Sequence, residues 1–169
     1  MKDNPVAATP LLSQPGLAAA LTSRTLGAFS SQVQAVAVGW QVYALTHSAA
    51  ALGFVGLAQF LPMVAFIFPA GHAADQHDRR RIVITCQAIE AFAAAFMALA
   101  SFAHFLAPGM IYGLVALFGI CRAFEMPAQQ TFLPSLVPTS LFPRAAALSS
   151  SLFQVASIAG PSLGGLLYG

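Results

Sequence analysis

The sequence predicts an all-α membrane protein with about five transmembrane helices, and three observations carry the prediction. Hydrophobic residues make up 58% of the chain and charged residues 7%, against about 25% charged in a soluble domain. The apolar residues fall in runs of about 20, the length a helix needs to cross a ~30 Å hydrocarbon layer. The few charges gather between these runs and leave no room for a separate soluble domain.

Residues 1–16 contain Pro5, Pro10 and Pro15 and no apolar core. They read as a short cytoplasmic lead. A cleaved signal peptide is not expected, because the following apolar run is too long and lacks a cleavage pattern. The rest, 17–169, is predicted to form one transmembrane bundle. Its first helix covers about 17–45 and carries Arg24, Gln32, Gln34, Gln41 and Tyr43. Gly27, Ser31, Gln34, Val38 and Gln41 follow a three-four spacing and share a face. Such a face should not meet lipid, where each polar group needs a partner. Two readings stand: the glutamines bond to neighbouring helices, or they line a water-filled path. Trp40 and Tyr43 suit the far interface.

The second helix, about 49–70, has Gly53 and Gly56 for close approach and Pro62 and Pro69 to kink it. A charged hinge, Gly71 to Arg81, leads to a third helix over about 82–105, which contains Glu90. The fourth covers about 110–126 and ends in Arg122 and Glu125. Pro127, Pro134, Pro138 and Pro143 break the next stretch, which reads as an interfacial loop. The fifth helix covers about 145–169. The turns after the first and third helices hold no Lys or Arg, whereas Lys2, Arg79, Arg80, Arg81 and Arg144 all fall on the other side. The positive-inside rule places that side, and the N-terminus, in the cytoplasm. An odd number of helices, still apolar at Gly169, suggests part of a longer protein.

The charged residues offer the chemistry. Gly71, Asp75 and Arg79 are four apart, so a continuing helix would align them, and Asp75 would cap a helix N-terminus or pair with Arg79. Glu90 in a membrane helix is costly and requires a partner or water. It serves either proton exchange or a structural hydrogen bond. Arg122 and Glu125 are neighbours on one helix, and Glu125 has Arg79 as a second candidate partner. Gly160, Pro161, Gly164 and Gly165 strip bulk and a backbone donor from the fifth helix, allowing close packing and a bend. Cys86 and Cys121 lie far apart in separate apolar runs and read as small buried apolar residues. Gly160 to Gly164 also fits G-x-S-x-G around Ser162, with His104 as a conceivable base, but a nucleophile elbow needs a preceding strand. No motif calls for a metal or cofactor. The single juxtamembrane arginine cluster gives nucleic-acid binding no support.

Three of these stretches, in order, resemble the major facilitator superfamily of transporters. Gly71-His72-Ala73-Ala74-Asp75-Gln76-His77-Asp78-Arg79-Arg80-Arg81 resembles the signature loop between helices two and three, with Gln76 where a base is usual and Asp78 where glycine is usual. Leu117 to Glu125 resembles the arginine motif of helix four, with Met126 in place of glycine. Ala156 to Gly165 resembles the Gly-Pro-x-x-Gly-Gly motif of the drug/proton antiporter branch, with Ala156 in place of its first glycine. Ser31 to Tyr43 and Leu52 to Pro62 are similar to the enterobactin-exporter and macrolide-efflux group of bacterial members.

The resemblance implies a twelve-helix fold in two similar halves, of which this chain is most of the N-terminal half without its sixth helix. It implies a multi-pass bacterial inner-membrane protein, not an enzyme, that exports a drug- or siderophore-type small molecule in exchange for protons. Its other partners would be the lipid bilayer and the C-terminal half. Gly71, Asp75, Arg79 and Arg80 would form a conformational switch. Arg122, with Glu125 and Glu90, would handle coupling charge. Gln34, Gln41 and Tyr43 would lie on the substrate path, and Gly160, Pro161, Gly164 and Gly165 would form the antiporter motif. The rivals are a proton-linked importer of the same fold, an intramembrane serine hydrolase using Ser162, and a membrane scaffold.

Overall fold

The structure, a computed structural model, describes Gln14 and residues 16–168; the rest of the lead expected over 1–16 lies outside the described residues. Six helices follow in order: α1 (Leu17–Thr46), α2 (Ala49–Ala65), α3 (Ile67–Gln76), α4 (Arg79–Phe102), α5 (Pro108–Leu136) and α6 (Phe142–Tyr168). α1 packs along α6, α2 along α5, and α4 along α5.

α1 starts after Gly16, whose φ of 82° is in the left-handed region, and ends at His47, also left-handed with φ 49°. His47 and Ser48 alone then turn the chain into α2. The run expected as one helix over 49–70 is a bent pair. α2 and α3 meet at Phe66 with an angle of 51° between them. Pro62 and Pro69 flank the break, each removing a backbone donor and crowding the preceding turn.

The hinge departs from expectation. α3 carries its first half, through Gly71 and Asp75, and stops at Gln76. His77 and Asp78 are extended, so Arg79 begins a new helix instead of continuing the face of Gly71 and Asp75. The cap is Asp78, which accepts from the Arg80 backbone N–H at 2.9 Å and lies 3.9 Å from the exposed Arg81 guanidinium. Replacing an N-cap Asp by Ala costs about 1 kcal/mol. Asp78→Ala is therefore expected to lower the thermal midpoint of the helical circular-dichroism signal by a few degrees. Asp78→Asn, which keeps the accepting oxygen, should leave it in place.

The proline-rich stretch after Met126 is helix, not loop, through Leu136. Pro127 and Pro134 stand two turns apart on one side, and each removes a single ladder bond. Gln129 donates to Glu125 at 3.4 Å across Pro127, and Ala128 is buried. The far end is held in place by an apolar cluster of Leu17, Leu21, Val137 and Ala145. Only Val137 to Leu141 remains as a loop before α6.

A second, larger apolar cluster lies at the other end of α1. There Val38 and Val42 pack with Ala51 of α2, Ala93 and Met97 of α4, and Ile111, Val115 and Phe118 of α5. Large apolar side chains point away from the bundle, among them Phe68, Phe92 and Phe102, 87%, 78% and 85% exposed. By length and composition Arg79–Phe102 and Pro108–Gln130 can cross a membrane, and α2 with α3 makes a third if the bent pair is one span. α1 and α6 hold 30 and 27 residues, about 45 and 40 Å at 1.5 Å per residue, which is long enough. By composition they fall short of the other candidate spans, because polar residues such as Gln32, Gln34, Ser149 and Ser150 interrupt their apolar runs.

Candidate functional site

Between its two apolar ends α1 is polar, and that middle stretch faces four cavities in series. The first, ≈ 550 Å³, has Ser23, Arg24, Arg80, Gln87, Gln129 and Ser149 on its walls. It shares Arg24 and Gln129 with the next, ≈ 180 Å³, where Glu90 of α4 meets Arg122 and Glu125 of α5 beside Ser31. A small cavity of ≈ 80 Å³ follows, sharing Ser31, Glu90 and Arg122 and adding Gln34 and Gln59. Through Gln34 and Val38 it leads to a fourth, ≈ 700 Å³, bounded by Gln41, Met97, Ser101 and His104. The track therefore runs along one helix from Gly16 to Gln41, with Glu90, Arg122 and Glu125 in the narrow middle.

The three charges come from helices held by different contacts. Arg122 and Glu125 are one turn apart on α5, and Arg122 is the cation whose field reaches both Glu90 and Glu125. Glu125 Oε2 accepts from Gln129. Its Oε1 and Gln34 Nε2 are buried with no hydrogen-bond partner. Buried polar groups are nearly always bonded, so an unbonded acceptor and an unbonded donor on either side of Glu90 and Arg122 mark places for a polar ligand.

Gln41 donates to Ser101 at 2.6 Å, tying α1 to α4 at the wide end. Tyr43, expected on the same path, is 49% exposed and turned away, its ring edge-on to His47 at 6.2 Å. The helical spacing explains it: Tyr43 is two residues beyond Gln41, on another face. Gly71 and Asp75 lie in α3 and touch none of the four cavities. A Cβ added at Gly71 would meet open space, so this glycine meets no close neighbour here. Arg80 reaches the first cavity.

The motif glycines of α6 divide. A Cβ at Gly160 would come within 2.6 Å of Gln32 Cβ and 3.3 Å of the Phe29 carbonyl, and one at Gly164 within 3.0 Å of Val36 Cβ. Both let α6 lie directly on α1, with buried Ala156 on the same stripe. Gly165 has open space, and Pro161 is half-buried. Ser162 donates to the Ile158 carbonyl at 2.9 Å in mid-helix, a setting without the strand-to-helix turn a nucleophile elbow requires. The sequence reading missed Gln59, Gln87, Ser101 and Gln129. Each is a lone polar residue whose role depends on which helix it faces.

Residues 7–169 match a family described as transmembrane secretion effectors. The chain belongs to that family. Transmembrane secretion effectors are a branch of the major facilitator superfamily, in agreement with the motifs on the hinge, α5 and α6. Macrolide efflux protein A of Streptococcus pyogenes is 30% identical over 139 residues, 82% of this chain and 34% of that protein. Its counterpart in Enterococcus faecalis is 32% identical over 114 residues, 68% of this chain and 35% of that protein. A staphyloferrin A transporter of Staphylococcus aureus is 24% identical over 133 residues, 78% of this chain and 34% of that protein. The chain spans about a third of the length of these curated relatives. No solved structure matches it. Within that family, the described residues form one all-α bundle with helices apolar enough to span a membrane.

Proposed function

We propose that the bundle is most of the N-terminal half of a proton-coupled exporter of small molecules that works by alternating access. The observation that carries this reading is the row of cavities along α1, which narrows at Glu90, Arg122 and Glu125. Secondary transporters bind substrate near the bilayer midplane between two related halves. Ionisable residues inside a membrane mark such pathways and proton relays. Gln34 and Gln41 supply hydrogen-bonding groups to the substrate path, and the Arg122 cluster exchanges protons. Gly71, Asp75, Arg79 and Arg80 at the α3–α4 junction stabilise one conformation on the cytoplasmic side, with the N-terminus also in the cytoplasm. The close packing of α6 on α1 through Gly160 and Gly164 limits leakage beside the path. Export of a macrolide- or siderophore-like solute is favoured by the relatives' names, and a bacterial inner membrane is the setting.

The test is a proton-flux measurement in energised inside-out vesicles carrying the bundle together with its second half. Addition of a macrolide or a carboxylate siderophore is expected to dissipate part of the pH gradient, read as recovery of a quenched acridine dye. Glu90→Gln is expected to remove that recovery. No recovery with either solute class, or recovery undiminished in Glu90→Gln, overturns the proposal. Gradient-dependent uptake into right-side-out vesicles would favour the importer instead.

A further inference from the structure

The cavity at the start of α1 lies apart from the constriction at Glu90, Arg122 and Glu125. Its ≈ 550 Å³ falls within the roughly 300–1,000 Å³ of cavities that hold small ligands. Two helices that begin at it form its long walls. On α4, Arg80, Val83, Ile84 and Gln87 follow helical spacing, so one face presents a charge, an apolar turn and then an amide. On α1, Ala20, Ser23 and Arg24 line the same space. α1 packs less closely with α4 than with α6, and α4 less closely with α1 than with α5. At this end a hydrogen bond from Ser23 to Gln87 at 3.3 Å spans the gap. The wall residues Ala19 and Ile84 are exposed, so the cavity opens sideways between α1 and α4.

Unused donors converge on it. Neither the Arg24 nor the Arg80 guanidinium has an ion-pair partner among the described residues. Ser149 of α6 is 4% exposed, and its hydroxyl has no hydrogen-bond partner. Buried polar groups are nearly always bonded, so this hydroxyl on the cavity wall points to a ligand. Asp78, the carboxylate on the wall, is engaged in capping α4, where it accepts from the Arg80 backbone N–H. Two unpaired cations and an orphan hydroxyl beside apolar walls fit an anion with an apolar body.

We propose that this cavity binds the phosphate headgroup of an anionic membrane lipid, held by Arg24 and Arg80, with the upper part of its chains against Val83 and Ile84. Arginine suits phosphate because its planar fork donates two hydrogen bonds at once. Depth and access favour a lipid over a free anion. Arg24 is on the second turn of α1, about 10 Å from its start. α1 exceeds a ~30 Å hydrocarbon layer by about 15 Å, so Arg24 lies close to the layer's boundary, and Arg80 is in the first turn of α4. Basic pockets between transmembrane helices on the cytoplasmic side bind acidic headgroups. A lipid there also bridges α1 and α4 where their own packing is sparse. The site does not depend on the transport reading.

The full chain, purified in mild detergent and stripped of lipid, is titrated with short-chain phosphatidylglycerol or phosphatidylcholine while its thermal midpoint is followed. Phosphatidylglycerol is expected to raise the midpoint by several degrees and to persist as a single adduct in native mass spectrometry. Phosphatidylcholine, with a phosphate but no net charge, should shift it far less. Arg24→Gln and Arg80→Gln should each at least halve the phosphatidylglycerol shift, and Ser149→Ala should reduce it. Arg144→Gln removes a cation that does not line the cavity and should leave the shift whole. Arg80 is exposed, so Arg80→Gln carries the test if Arg24→Gln fails to fold. Millimolar glycerol phosphate and citrate separate a lipid from a free anion, and neither should move the midpoint. Equal shifts from the two lipids, a full phosphatidylglycerol shift in Arg24→Gln or Arg80→Gln, or the same shift from glycerol phosphate or citrate overturns the proposal.

Discussion

Gly119→Leu is expected to abolish recovery of monodisperse protein after detergent extraction, and Gly119→Ala to lower its thermal midpoint sharply. Gly119 is where α5 lies on α2. A Cβ built there would overlap the backbone carbonyl of Gln59, with that carbonyl's carbon 3.0 Å away and its Cα 3.2 Å away. Backbone atoms cannot swing aside as a side chain can, so the two helices would have to part. Ordinary overpacking of a core costs about 1–3 kcal/mol, and an obstacle made of backbone puts even the single methyl at the upper end of that range. The loss would spread, because the α2–α5 contact carries the Ala51, Val115 and Phe118 cluster. Gly71→Ala and Gly165→Ala supply the contrast. Both glycines are helical with open space around them, and Ala is preferred to Gly in a helix by about 0.5–1 kcal/mol. Those two variants should melt at or slightly above the native chain. Melting followed by size-exclusion chromatography after heating separates the two groups, and a Gly119→Ala variant as stable as Gly71→Ala would show that α2 does not lie on α5 at this point.

Much of the fold was legible because lipid imposes simple rules. Uninterrupted apolar runs with charge between them predicted a helical bundle, and Pro62 and Pro69 predicted a kink in the second run, though not its division into two helices at Phe66. What escaped were features decided by neighbours. Pro127 and Pro134 look like helix breakers until Ala128 is buried and Gln129 reaches back to Glu125. Asp78 looked like a departure from the hinge pattern, yet it is the residue that caps α4. Glu90 was legible alone as a costly charge needing a partner. That Glu90 shares a cavity with Arg122 and Glu125, and that Arg24 joins it, depends on the rotation of three helices about their axes. No single-helix periodicity records that rotation.

Arg122→Ala is expected both to destabilise the bundle and to stop proton-linked transport, and the two effects can be separated. Removing the arginine leaves Glu90 and Glu125 around one cavity without the cation between them, although Arg24 lines the same space. Breaking a close buried ion pair from one side costs about 3–5 kcal/mol, and this range is a ceiling here, because the three groups share a cavity without a direct ion pair among the described residues. The side chains are half-buried, and Arg24 offers partial compensation, so the loss should fall at about 3 kcal/mol or less. Arg122→Lys keeps the charge but not the planar fork that serves two carboxylates, and an intermediate midpoint is expected. The decisive variant is the triple Arg122→Ala, Glu90→Gln, Glu125→Gln. It removes all three charges together, so no carboxylate is stranded, and it should recover most of the stability that Arg122→Ala alone loses. If the cluster handles protons, the triple variant nevertheless dissipates no pH gradient on addition of solute. If the cluster only staples α4 to α5, the triple variant regains transport along with stability, and proton handling must be sought elsewhere. Thermal melting and dye recovery on the same vesicles give both readouts, and the coupling role stands only if stability returns while proton flux does not.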